Sequence, residues 1–183
     1  MKGVVIGSLL SSIVLFVWGF AYWGLLPVSN NIFKSAPPAL VQELRALPES
    51  GTYAIPGMEL YEKDEAEFKR RHEAGPIAML FVRKEGSMAG SPSTFAKGFV
   101  HMFASALLMA LALSMAIGAL RSYASRFFFV LVAGAAGAVL SDLGPIIWWL
   151  HPSGMHVAEF AYHVVGWGLT GLILARFIRP RRF

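Results

Sequence analysis

Five residues carry most of the chemistry the sequence could perform: His101, Asp142, His156, Glu159 and His163. His156, Glu159 and His163 stand at i, i+3 and i+7, which places them on one face of a helix. Imidazoles and a carboxylate so arranged can hold a divalent metal, with Asp142 or His101 completing the shell from a facing helix. Two imidazoles level across a bundle could ligate haem b, and His101 with His156 or His163 supplies the pairs. The spacing HxxExxxH matches no specific metal motif such as HExxH. A carboxylate and an imidazole on neighbouring helices also suit a plain interhelical hydrogen bond, and Asp142 with His163 are suited to it.

The segments around these residues are strongly apolar, and this gives the polar groups their weight. Of the 183 residues 56% are hydrophobic and 15% charged, against about 25% charged in soluble domains. Ionisable groups retained in such surroundings usually face a bundle interior, pair with one another, or mark a pathway. There is no cysteine, which excludes disulfides, thiolate metal sites, iron–sulfur ligation and thioether-linked haem. No phosphate-cradling glycine loop, nucleophile elbow or nucleic-acid motif occurs, so an enzyme is not the favoured class.

Four runs meet the roughly 20 residues needed to cross a bilayer core. Residues 1–27 hold the first, closed by Pro27 and read as a retained helix because the apolar run is too long for a signal peptide. Residues 98–120, 127–150 and 155–178 hold the others, and 179–183 form a basic tail. Ala133 to Ala138 reads AGAAGA, small residues that let helices approach closely. Pro145 removes a donor one turn beyond Ser141, so a kink is expected beside Asp142.

Residues 28–97 hold most of the acidic residues and only short apolar runs, the mark of a domain outside the bilayer. Helical spacing from Ala39 to Leu47, β-like runs at 52–55 and 77–82, and a charged helix from Tyr61 to Ala74 predict a small α+β unit. Residues 86–94 read as a flexible return. The expected fold is an all-α membrane protein of four transmembrane helices, with this α+β domain inserted between the first two.

Lys2, Arg121, Arg126, Arg176, Arg179, Arg181 and Arg182 fall on one side of the spans, which the positive-inside rule makes cytoplasmic. Both termini then face the cytoplasm of a bacterial inner membrane and residues 28–97 lie outside it. By helical rise, His101 and Glu159 lie about 6 Å, and Asp142 and His163 about 12 Å, from the outer boundary. The expected meetings are therefore Asp142 with His163, and Glu159 with His101.

The run Val17, Trp18, Gly19, Phe20 followed by Leu26 and Pro27, then Gly51, Thr52, Tyr53 with Pro56 and Gly57, then Gly75 and Pro76 before a strand, resembles a class of small four-span bacterial inner-membrane proteins. That class brings no assigned activity, so the resemblance implies a fold and no site.

The leading functional expectation is an accessory or interaction subunit of a larger membrane complex, such as an energy-converting one. It rests on small size and on glycine and alanine faces suited to packing. The alternatives are a membrane redox protein holding haem b or a divalent metal on the His, Asp and Glu residues named above, and a small proton-coupled transporter using Asp142 and His163. Expected partners are the lipid bilayer and other membrane subunits or further copies of the chain, and not nucleic acid.

Overall fold

The structure, a computed structural model, describes residues 1–180. Arg181 and Arg182 of the basic tail lie outside the described residues. The chain divides into two compact units, one comprising Met1–Phe33 with Gly90–Phe183 and the other Lys34–Ala89.

The larger unit holds four helices long and apolar enough to cross a membrane: Lys2–Leu25, Pro92–Met115, Tyr123–Trp148 and Ser153–Phe177. The first is α1 (Lys2–Phe20), continued by a π turn over Ala21–Leu25. After the short α2 (Val28–Ile32) the chain leaves this unit. It returns at α6 (Pro92–Met115), numbered after the three helices of the smaller unit. The return helix starts six residues before the apolar run at Gly98. Pro92 occupies its first turn, where the missing N–H costs nothing, so part of the expected flexible return is helical. The third span is α7 (Tyr123–Ala138), a π turn over Val139–Leu143, and α8 (Gly144–Trp148). The expected disturbance at Pro145 therefore takes the form of a π turn that contains Asp142 itself. The fourth span is α9 (Ser153–Phe177).

Helix α9 packs along both α1 and α7, α6 packs on α1, and α6 and α7 touch little. Ala110 and Leu113 of α6, Val130 of α7, and Leu174 with Ile178 form the buried core near the α6–α7 connection. Around and beyond it, small residues set the spacing. A methyl group built at Gly166 would lie 3.1 Å from Leu15, one at Gly171 3.1 Å from Phe127, and one at Gly7 3.1 Å from Leu174. These glycines let the helix backbones approach, the usual device where lipid supplies no hydrophobic drive between helices.

Four serines inside the spans turn their hydroxyls onto the backbone of their own helix. Ser8 donates to the Val4 carbonyl at 2.8 Å, Ser12 to Leu9 at 2.8 Å, Ser105 to His101 at 3.0 Å and Ser114 to Leu111 at 2.8 Å. Arg126, which the sequence reading used only to orient the chain, is buried. Its guanidinium donates to the carbonyls of Ala175 at 3.1 Å, Leu120 at 3.2 Å and Arg121 at 2.8 Å. It thereby satisfies one carbonyl in the last turn of α9, which lacks an intrahelical donor, and two in the connection between α6 and α7.

The smaller unit contains α3 (Pro38–Ala46), β1 (Gly51–Ile55), α4 (Met58–Lys63), α5 (Glu65–Ala74) and β2 (Ala78–Val82). The strands pair antiparallel, with Gly51 opposite Val82 and Ile55 opposite Ala78. The charged segment expected as one helix is two. Asp64 leaves helical geometry so that its carboxylate accepts from the Glu67 N–H at 2.9 Å, an N-cap that starts α5 anew. On α5, hydrogen bonds from Arg70 and then Arg71 hold the Glu67 carboxyl down at about 2. His72 stacks on Phe68 with ring centroids 5.9 Å apart.

Candidate functional site

The third span delivers Asp142 through its π turn, whose five residues shift the side-chain register by one position relative to an α-helix. Asp142 is 6% exposed. One carboxylate oxygen meets Nδ1 of His163 on α9 at 2.6 Å, and the other accepts from the Ser141 hydroxyl at 2.7 Å. A carboxylate against Nδ1 fixes the imidazole tautomer: Nδ1 carries the proton and Nε2 keeps the lone pair. His163 Nε2 makes no hydrogen bond among the described residues, and 42% of the side chain is exposed.

His163 lines a cavity of about 390 Å³ that opens to the outside of the bundle. Its walls come from α6 through His101, Met102 and Ser105, from the third span through Gly134 and Ser141, and from α9 through Tyr162, His163 and Trp167. Ligand sites commonly measure about 300–1,000 Å³ and combine apolar walls with a few convergent polar groups. The cavity lies where α6 and α7 touch little beyond the core at their connection, and Leu15 of α1 and α9 supply further wall.

At one end of the bundle, aromatic residues fasten α1 to α9. The Trp18 indole N–H donates to the Tyr162 carbonyl at 3.0 Å and the Tyr22 hydroxyl to the Ala158 carbonyl at 3.0 Å. Trp18 and Tyr162 stack with planes 9° apart. These aromatic residues serve as interhelical fasteners. Trp148 and Trp149 are exposed and stay away from the cavity.

The five residues singled out from sequence divide into separate groups. Asp142 and His163 meet, as expected of antiparallel neighbours joined by a tight turn. His101 does not join Glu159; it shares the cavity wall with His163. Glu159 instead approaches His156, with Oε2 3.2 Å from Nδ1. His156 Nε2 lies 2.9 Å from Nδ1 of His151, in the turn between α8 and α9. Among the described residues no cluster of three or more His, Asp or Glu side chains has a geometry able to hold a metal ion.

Helix α6 starts at Pro92, six residues before the expected span at Gly98. His151 could have been foreseen from its separation of five residues from His156 across a tight turn. Met102, Tyr162 and Trp167 carried no signal beyond an apolar helix face. No family model, curated protein or solved structure matches the chain.

Proposed function

We propose that this chain is a membrane-embedded protein that binds a small lipid-soluble molecule in the cavity between α6, the third span and α9. The observation that carries the proposal is the His163 imidazole in the cavity wall, held by Asp142 at 2.6 Å with Nε2 left to a ligand. The walls are apolar and aromatic apart from His101, Ser105, Ser141, Tyr162 and His163. They suit an uncharged amphiphile with a compact carbonyl- or hydroxyl-bearing head. His163 Nε2 accepts from a hydroxyl directly, or donates to a carbonyl once protonated, when Asp142 balances its charge.

Purification of the full chain in mild detergent tests this, followed by mass spectrometry of its organic extract and an absorption spectrum. The expected result is a near-stoichiometric lipid-soluble compound that is depleted at least tenfold in His163→Ala. A Soret band would instead assign the cavity to haem between His101 and His163. An extract without any enriched compound, together with a featureless visible spectrum, would overturn the proposal.

The accessory-subunit reading is favoured by a different observation. Helix α6 packs mainly on α1 and leaves Val100, Leu108 and Met115 exposed along its length. A co-purifying membrane chain seated on that side would support it. The two readings are compatible, since a subunit can carry the ligand for its complex.

The proposed topology places both termini in the cytoplasm and residues 34–89 outside. The absence of native cysteine makes the test clean. Glu73→Cys should react in intact cells with a membrane-impermeant maleimide, and Ser122→Cys only after lysis. The reverse pattern would invert the topology.

A further inference from the structure

The smaller unit holds none of the four membrane-crossing helices, yet it presents an aromatic ring to its surroundings. Phe81 on β2 is 74% exposed. A strand turns alternate side chains to one face, so Phe81 shares its face with Arg83 and, across the ladder, with Thr52 directly opposite. On α3, Val41, Leu44 and Arg45 stand at i, i+3 and i+4, on one helical face. These residues of α3 and β2, together with Lys84, line one open groove of about 350 Å³.

The charge in that groove has one sign. Arg45, Arg83 and Lys84 line it and no carboxylate does. Lys84 is committed: its ammonium donates to the Leu47 carbonyl and its backbone N–H to the Ser50 hydroxyl at 2.9 Å. Arg45 and Arg83 enter no ion pair among the described residues. Glu43, the one acid of α3, lies on the opposite face of that helix. Glu85 accepts from the Ser50 hydroxyl at 2.9 Å; its own backbone N–H, then that hydroxyl, and to a lesser extent Arg83 and Lys84 hold its carboxyl below the usual range. Two guanidiniums are left to an anion from outside the unit.

An exposed aromatic beside unpaired guanidiniums is the composition of a surface that settles into a membrane interface. The ring enters the headgroup layer, and each guanidinium can take a phosphate through two parallel hydrogen bonds. Chain connectivity favours lipid as the occupant. Only residues 26–33 and 90–91 separate the unit from the first two spans, and the reach of the backbone alone keeps Ala89 within about 11 Å of Pro92. A tether that short gives the unit a high effective concentration at the lipid surface. We propose that the Phe81 face is a docking surface for anionic phospholipid headgroups, with Arg45 and Arg83 on the phosphates and Phe81 among the glycerol and upper acyl carbons. This is independent of the cavity's ligand and of which side of the membrane the unit occupies.

A nitroxide on Thr52→Cys, opposite Phe81 and without a native cysteine to compete, tests the proposal in the full chain in lipid nanodiscs. Discs of neutral phosphatidylcholine are compared with discs containing phosphatidylglycerol. The anionic discs should shield the label from a water-soluble nickel chelate and open it to oxygen, and high salt should reverse both changes. Arg45→Gln and Arg83→Gln should each lower the ratio of docked to free label about fivefold. Arg45→Lys and Arg83→Lys keep the charge and should retain most of the docking, and Phe81→Ser should return the label to water even in anionic discs. A label equally open to the chelate in both kinds of disc would overturn the docking surface. Equal shielding in both would overturn its recognition of anionic headgroups. Shielding that requires a co-purifying protein chain would assign the face to that protein and overturn the proposal as well.

Discussion

Asp142→Ala is expected to destabilise the bundle by about 1–3 kcal/mol, the cost of stranding a hydrogen-bonding group inside a protein, and to empty the cavity of its ligand. Two other magnitudes bracket this figure. Hydrogen bonds between membrane helices average only about 0.6 kcal/mol, because the unfolded chain in lipid also finds partners. Removing one member of a buried ion pair in a soluble protein costs about 3–5 kcal/mol. The geometry lies between the two. Asp142 is 6% exposed and its bond to His163 is short, at 2.6 Å, which argues against the average membrane value. His163 has 42% of its side chain exposed, so the orphaned imidazole can find water or a ligand group, which argues against the upper value.

Asp142→Asn should cost less, since its amide oxygen still accepts from Nδ1, yet it cannot balance an imidazolium. Ligands held by a neutral imidazole should therefore survive in Asp142→Asn, whereas those needing the protonated ring should be lost. Reversible unfolding of the full chain in mixed micelles of rising SDS content reads the stability, and the organic extract reads occupancy. A cost of no more than about 0.6 kcal/mol for Asp142→Ala would reduce the pair to an ordinary helix contact.

The four long helices and the two-stranded unit were legible because both rest on local pattern. Long apolar runs, proline stops and β-like runs bounded by glycine and proline are written in consecutive residues. The Asp142–His163 meeting was legible too, since a tight turn makes α8 and α9 antiparallel neighbours and the 1.5 Å rise then sets the levels. What failed depended on where a helix begins outside its apolar run. Helix α6 continues back to Pro92 through residues that hydropathy does not count, and His101 faces the cavity shared with His163 rather than Glu159. The split at Asp64 was hidden for a related reason: a charged segment without an apolar stripe gives no periodicity whose interruption could be seen, and only the aspartate's capping habit marks it.

The cavity was the least legible feature, because it arises from two helices failing to meet. The AGAAGA run correctly signalled a close approach, but the structure spends it within the chain, on Trp167. A methyl group added at Gly134 would overlap the Trp167 indole at its root, Cγ, where no flexible end can move aside. Gly137, three residues on, has nothing within 4 Å of the same addition.

The two alanine variants should therefore behave oppositely. Gly137→Ala should be neutral or stabilising by up to about 1 kcal/mol, since alanine favours the helix over glycine. Gly134→Ala has two ways to relieve its overlap. If α7 and α9 move apart, overpacking costs about 1–3 kcal/mol and the core around Val130 and Leu174 loosens. If Trp167 instead rotates, the space open to it is the cavity it already lines, so stability is spared and the ligand is displaced. Mixed-micelle unfolding and the organic extract together separate these routes; Gly137→Ala serves as the control for stability alone, because Gly137 also lines the cavity. A Gly134→Ala protein with wild-type stability and full occupancy would mean that the indole does not pack on Gly134, and the cavity wall drawn from Trp167 would have to be abandoned.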